Sequence, residues 1–239
     1  MADFLRILNI GNTHVQFFDS AGPESFLPAG SCRTSDFDPS AEAVHIPALA
    51  AASVVPELTE ELLRLGAFVV SGTLPLPFAP SDLDMTTVGA DRIANAAALL
   101  DGPLPALSID FGTAITFEFV TATRQFAGGA ILPGRMLLRQ ALHDHTAQLP
   151  LVPLTDELPA LPGRNTSDAI RIGTDHAVLG AVRELIKDWR LQCAPDNLHL
   201  TACGGDRKFF LRHIEGMTDG GDSFTVRGIR KLWEFHHAC

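Results

Sequence analysis

Residues 8–13 read LNIGNT and residues 109–116 read IDFGTAIT. In each, an apolar run ends on a polar residue, Asn9 or Asp110, followed two places on by a glycine, Gly11 or Gly112, and then by hydroxyl or amide side chains. Apolar runs resume directly afterwards, VQFFD at 15–19 and ITFEFV at 115–120. A short polar turn between two such runs is a hairpin signal. The chain therefore carries the same strand–turn–strand unit twice, and LTACGGDR at 200–207 adds a strand, a glycine pair and the start of a helical pattern.

A glycine at a strand end lets backbone N–H groups approach an anion with no Cβ in the way, and Asn12, Thr13 and Thr113 add donors beside Gly11 and Gly112. Two such nests suit a polyphosphate. Asp110 would repel phosphate directly, so its position makes sense with a cation between them. That favours a nucleotide together with its metal, and it makes the neutral Asn9 in the first copy the point of interest.

Working outward, a third apolar run near Glu24–Leu27 precedes short apolar patches over 43–55 and a helix from Pro56 to Gly66, with proline in its first turn and glycine past its end. Phe68–Ser71 reads as a buried strand. From Asp91 the stretch DRIANAAALL takes helical spacing, with Ile93, Ala97 and Leu100 on one face. Further helices are expected over Arg135–His145, over about Asp168–Arg190 with Thr166-Ser167-Asp168 as its capping cluster, and at the KFFLRHI stretch that follows the glycine pair. The segment 150–162, with four prolines, reads as an irregular loop. Alternating strands and helices give an α/β chain, and the repeat divides it into an N-terminal lobe, 1–105, and a C-terminal lobe, 106–239.

Between the repeats lies Val88-Gly89-Ala90-Asp91-Arg92. Asp91 reads equally as a helix cap and as a carboxylate that accepts a proton from a hydroxyl nucleophile, while Arg92 offers a planar fork for a carboxylate or phosphate. A base beside an anion clamp is the arrangement needed for phosphoryl transfer onto a small acidic alcohol.

Composition narrows the partners. A net charge of −10 argues against nucleic acid, whose backbone demands clustered Lys and Arg. No window reaches the roughly 18 apolar residues of a membrane span, and the start MADFLRILNIG lacks the pattern of a secretory leader, so a cytoplasmic location with no membrane partner is expected. Cys32, Cys193, Cys203 and Cys239 form no C-x-x-C pair, and the terminal His236-His237-Ala238-Cys239 places no third or fourth ligand for a designed metal site. His143, His145 and His176 read as surface or packing residues.

The ordered motifs GNT at 11–13, ASVVPEL at 52–58, GADRIANA at 89–96, IDFGTAIT at 109–116, GGAILPG at 128–134, HTAQLP at 145–150, GRNTSDAI at 163–170 and CGGD at 203–206 resemble the type III pantothenate kinase family nearly end to end. The resemblance implies two duplicated α/β lobes of the actin-like and sugar-kinase (ribonuclease H-like) type with a nucleotide cleft between them. It implies ATP-dependent phosphorylation of pantothenate to 4'-phosphopantothenate, the first step of coenzyme A biosynthesis. It assigns Asp91 as the catalytic base, and Gly89, Arg92 and Thr166 to pantothenate. Asn9, Gly11, Asn12, Thr13, Gly112, Thr113 and Thr116 match the phosphate loops, and Gly204 and Gly205 the adenosine-side turn. Asp110 matches a carboxylate tied to a monovalent cation, K+ or NH4+. Similar enzymes use Mg2+ and are homodimers whose pantothenate pocket forms at the subunit interface. The family normally has Asp where this chain has Asn9, which implies a weakened Mg2+ site. The chain has no tyrosine, Ala202-Cys203 stands where a Thr usually precedes the glycine pair, and Met85-Thr86-Thr87 replaces an Asn-Pro often found there. The alternative these departures raise is a catalytically impaired pseudokinase or nucleotide-binding regulator of the same fold, in line with the family's older description as a transcription accessory factor.

Overall fold

The computed structural model describes residues 4–43, 48–193 and 197–238. Along the chain run β1 (Leu5–Ile10), β2 (His14–Gly22), β3 (Ser25–Arg33), the short helix α1 (Pro39–Ala43), β4 (Leu49–Ser53), α2 (Pro56–Arg64), β5 (Phe68–Val69), β6 (Ala79–Pro80) and α3 (Ala90–Leu99). There follow β7 (Ala106–Phe111), β8 (Ala114–Val120), β9 (Gln125–Phe126), β10 (Ile131–Pro133), α4 (Arg135–Asp144), α5 (Thr166–Gln192), β11 (His199–Cys203), α6 (Arg207–His213), β12 (Met217–Asp219) and α7 (Phe224–His237). Where the sequence suggested a single cut at 105/106, the compact units interleave. The first takes 1–106, 118–128 and 222–239, and the second takes 107–117 and 129–221.

The first unit is built on a five-stranded sheet of order β3-β2-β1-β4-β5. β1 and β2 form the expected hairpin, with Asn9 opposite Gln16, and β1 runs parallel to β4 with Asn9 beside Ala52. The parallel pair brings the carboxyl ends of β1 and β4 to one edge, the position at which open α/β sheets receive ligands. Leu8, Ile10, Val15, Phe17, Leu49, Ala51, Leu62 and Val69 form a core on one side of the sheet, and α2 inserts Leu62 into it. Pro56 opens α2 and Gly66 follows it at φ +79°, as the sequence predicts.

The other side carries α3 and α7. The spacing in 91–100 predicts one apolar face, yet every residue from Ile93 to Leu99 is buried, Asn95 included. The cause is α7, which packs against α3, β1 and β4. Small residues permit the approach: a Cβ on Gly228 would lie 2.6 Å from the Ala94 carbonyl carbon. Arg230 of α7 reaches the buried Ser20 hydroxyl of β2 at 3.1 Å, across 210 residues of chain. The end of β8 also belongs to this unit, where Val120 pairs with Phe126 of β9, and β9 in turn with β6.

In the second unit the strands run β12-β11-β7-β8, with β10 paired to β8. The Gly112–Thr113 turn joins β7 to β8, the second copy of the device that joins β1 to β2. Phe111 stacks on Phe210 of α6 at 3.9 Å, and Phe117 on Trp189 of α5 at 5.3 Å. The helix α5 begins at Thr166, and its cap is Asn165, whose side chain accepts from the Asp168 N–H at 2.8 Å. That corrects the expectation of a Thr166-Ser167-Asp168 cap. Asn165 also donates to the Asp168 carboxylate at 2.8 Å, so one residue serves both the helix amide and the side chain of the first turn. Residues 150–162 are irregular, as the prolines imply. No helix among the described residues is long and apolar enough to cross a membrane.

Candidate active site

In the first unit the GNT turn is a fixed object. Gly11 N–H donates to the His14 carbonyl at 3.0 Å. From the end of β3, Thr34 donates its N–H to the Thr13 carbonyl at 3.0 Å and its hydroxyl to the Gly11 carbonyl at 2.8 Å. With those carbonyls engaged, Asn12 and Thr13 stay exposed at the tip. Asn9, half-buried just before the turn, donates its amide to Gln16 Oε1 at 3.3 Å.

The GADR stretch meets the same edge of the sheet. The Val54 N–H, just past the end of β4, donates to the Ile10 carbonyl at 3.1 Å. A Cβ placed on Gly89 would touch Val54 Cγ1 at 3.8 Å. Val54 therefore bridges the end of β1 and the start of α3. Gly89 occupies the N-cap position and makes no side-chain cap, so Asp91 sits one position inside the first turn of α3. Its Oδ1 accepts the Arg92 N–H at 2.8 Å. A Cβ on Gly89 would lie 2.6 Å from that oxygen, which explains a glycine there. Burial raises the Asp91 carboxyl above the usual carboxylate range, with the Arg92 amide and guanidinium opposing the shift. A carboxylate so raised is a better proton acceptor than an exposed one.

Arg92 turns inward. Its Nε donates to Glu118 Oε1 of β8 at 3.2 Å, and Glu118 is fully buried. Asn95 donates to Glu118 Oε2 at 3.5 Å and accepts the Thr225 hydroxyl of α7 at 2.7 Å. Sequence reasoning missed Glu118, although an acidic residue inside the run ITFEFV was the available signal: an ionised side chain in a buried strand requires a partner.

In the second unit Asp110 lies half-buried at the end of β7. The glycine pair is packed against it: Gly204 has φ +87°, and a Cβ there would lie 2.6 Å from the Phe111 nitrogen and press on Asp110 Oδ1. The Asp206 N–H closes the contact by donating to the Phe111 carbonyl at 2.9 Å. Gly134 of the GGAILPG stretch backs the Gly112–Thr113 turn, its N–H donating to the Thr113 carbonyl at 2.9 Å. Asp110, Gly112, Thr113, Gly204 and Gly205 are thus gathered, with Gly112, Thr113 and Gly205 exposed. Thr116 is not on the open turn but buried in β8 opposite Ile131, and Thr166 is exposed at the first position of α5.

Behind this turn is a buried ion network with no counterpart in the sequence reading. Arg135 grips both oxygens of Asp206, at 2.8 and 2.6 Å, donates to the Thr155 carbonyl at 3.1 Å and stacks its guanidinium over Phe209. Asp175 of α5 lies 3.3 Å from Arg135 and accepts from Arg139 at 2.6 Å. Arg139 Nε donates to the Thr174 hydroxyl at 3.2 Å, and the carbonyls of Val152 and Pro153, in the proline-rich segment, accept from its Nη1. The irregular loop thereby supplies acceptors that a helix would have consumed internally.

Among the described residues no group of three or more His, Cys, Asp or Glu is arranged to hold a metal by itself. A hard cation bound through one carboxylate and a substrate's phosphates needs no such group, and Asp110 has the right donor chemistry for it. Cys32, Cys193 and Cys203 are in no disulfide bond, and Cys239 of the terminal His-His-Ala-Cys stretch lies outside the described residues.

The family model for type III pantothenate kinase matches residues 33–188, more than half of the chain. A type III pantothenate kinase from Methylacidiphilum infernorum is 34% identical over 76% of this chain and 69% of its own. One from Chlorobium luteolum is 32% identical over 97% of this chain and 94% of its own. Among solved structures, a putative Baf family transcriptional activator from Campylobacter jejuni superposes with a TM-score of 0.64 at 20% identity, covering 98% of this chain and 100% of that one. A putative N-acetylmannosamine kinase from Listeria monocytogenes gives 0.56 at 12% identity, covering 97% and 99%. These likenesses show the actin-like and sugar-kinase fold. With the family model matched over more than half of the chain and sequence identity sustained over nearly its whole length, the chain belongs to the type III pantothenate kinase family.

Proposed function

We propose that the protein transfers the γ-phosphoryl group of ATP to the primary hydroxyl of pantothenate, giving 4'-phosphopantothenate for coenzyme A synthesis. The observation that carries the reading is Asp91, a half-buried carboxylate whose proton affinity desolvation raises, followed directly by Arg92 and beside the sheet edge that bears the GNT turn. Asp91 accepts the hydroxyl proton as the oxygen attacks phosphorus. Arg92 binds the pantothenate carboxylate, Gly89 keeps Asp91 in place, and Thr166 donates to the substrate from the start of α5.

Each glycine turn has one task. Gly11, Asn12 and Thr13 offer N–H and hydroxyl donors to phosphate, as do Gly112 and Thr113, while Thr116 orders the second turn from within β8. Gly204 and Gly205 leave room for the adenosine. Mg2+ would neutralise charge on the phosphates during transfer, with the neutral Asn9 as its weakened protein ligand, and K+ or NH4+ would be held by the Asp110 carboxylate. We read the enzyme as a cytoplasmic homodimer, and the exposed Ile131 and Leu137 on β10 and α4 offer apolar surface to a second copy.

A coupled ADP-release assay with pantothenate, Mg2+ and K+ tests the reading. Turnover by the wild type and its loss in Asp91→Asn are expected; turnover unchanged in Asp91→Asn would refute the base. Asn9 favours one second reading, a nucleotide-binding protein without turnover. ATP binding by calorimetry with no ADP release at any Mg2+ concentration would establish that instead.

A further inference from the structure

We infer that Glu118 is a positioning residue that fixes the Arg92 guanidinium for the carboxylate of the acceptor substrate. The inference rests on Arg92 as the clamp for that carboxylate. Glu118 is fully buried in a strand whose other side chains from Ile115 to Val120 are apolar apart from Thr116. An ionised carboxylate in such a place is costly, and an ion pair that served packing alone is replaceable by apolar side chains without loss. What distinguishes this pair is where its cationic end lies: Arg92 follows Asp91 directly, and a helix turns by about 100° per residue. Arg92 and Asn95, three apart, therefore share one side of α3, and both engage Glu118, at 3.2 and 3.5 Å.

The arrangement constrains the guanidinium through its Nε edge. Glu118 Oε1 takes the Nε proton, while Oε2 is held by the Asn95 amide. Asn95 is itself oriented because its oxygen accepts the Thr225 hydroxyl, which forces its NH2 toward Glu118. Three elements, α7, α3 and β8, thus combine to define one arginine. An arginine held at Nε presents its fork in a single plane, so little rotamer freedom is left to lose when a carboxylate binds. The substrate class implied is a small molecule with a carboxylate set at a fixed distance from the reacting hydroxyl.

Steady-state kinetics on the full chain tests this with Glu118→Gln, Arg92→Ala and the double variant. Glu118→Gln keeps the acceptor oxygen and removes the charge. Its KM for pantothenate should rise about tenfold or more, the loss of one charged hydrogen bond, with the KM for ATP within about twofold of wild type. The double variant should be no worse than Arg92→Ala alone, because Glu118 acts only through Arg92. Equal rises in both KM values, or a double variant showing the product of the single losses, would assign Glu118 a merely structural role and overturn the inference. Arg92→Ala with an unchanged pantothenate KM would instead refute the clamp, a failure visible separately in the single variant. Should Glu118→Gln not fold, Thr225→Val removes only the hydroxyl donated to Asn95. It should raise the pantothenate KM about threefold with the ATP KM unmoved, and no change in it would overturn the inference.

Discussion

At the scale of single residues, Asp91 carries the strongest prediction. Its proton affinity is raised by burial, so the acid limb of the kcat/KM profile should lie above the ordinary carboxylate range. The same burial costs stability. A carboxyl raised in the fold binds its proton more tightly there than in the unfolded chain, so stability falls as pH rises from the unfolded value of about 3.9 to the folded one. Above the folded value the penalty is present in full. Asp91→Asn keeps an oxygen for the Arg92 N–H and removes the charge. It should lose about 100-fold or more in kcat yet melt higher than wild type at pH 7, the difference narrowing as pH falls. A lower melting temperature for Asp91→Asn at pH 7 would contradict the burial argument. Asn9→Asp is accommodated because Gln16 can present its amide rather than its oxygen to the new carboxylate. The restored charge should lower the Mg2+ concentration for half-maximal rate severalfold, read from a Mg2+ titration.

At the scale of elements, two glycines govern contacts that no other residue permits. Gly204 combines φ +87° with backbone contact to Phe111, so Gly204→Ala strains the turn by about 1–3 kcal/mol and displaces Asp110. The expected outcome is a raised KM for ATP at nearly unchanged KM for pantothenate. Gly228 lies against the backbone of Ala94, and Gly228→Ala should separate α7 from α3 at a cost of about 1–3 kcal/mol, measured by urea unfolding. These elements differed in legibility. The hairpins and α2 with its Pro56 and Gly66 were readable because turns, caps and periodicity are local. The all-round burial of α3 was not, because the alanines of ANAAAL carry no strong facing pattern and α7, more than 120 residues later, provides the second surface.

For the whole molecule, the first unit closes only when the C-terminal helix arrives: residues 222–239 belong with the sheet that begins at Leu5. Deleting 224–238 should expose the apolar faces of α3, β1 and β4. The truncated chain should bind a hydrophobic dye and lose its cooperative melting transition, while a soluble, cooperative truncation would show α7 to be dispensable.

The sequence by itself determined the α/β class and the repeated strand–glycine–strand device, and it supplied the residues we propose for phosphate and proton transfer. Those properties follow from side-chain period and from backbone freedom at glycine, both encoded within a few positions. Only the tertiary structure decided that Glu118 faces Arg92, that Arg135 holds Asp206 behind the glycine pair, and that Thr116 is buried rather than open. Partners of a buried charge are chosen by whichever distant segment the fold brings within hydrogen-bonding reach, and no local pattern records that choice.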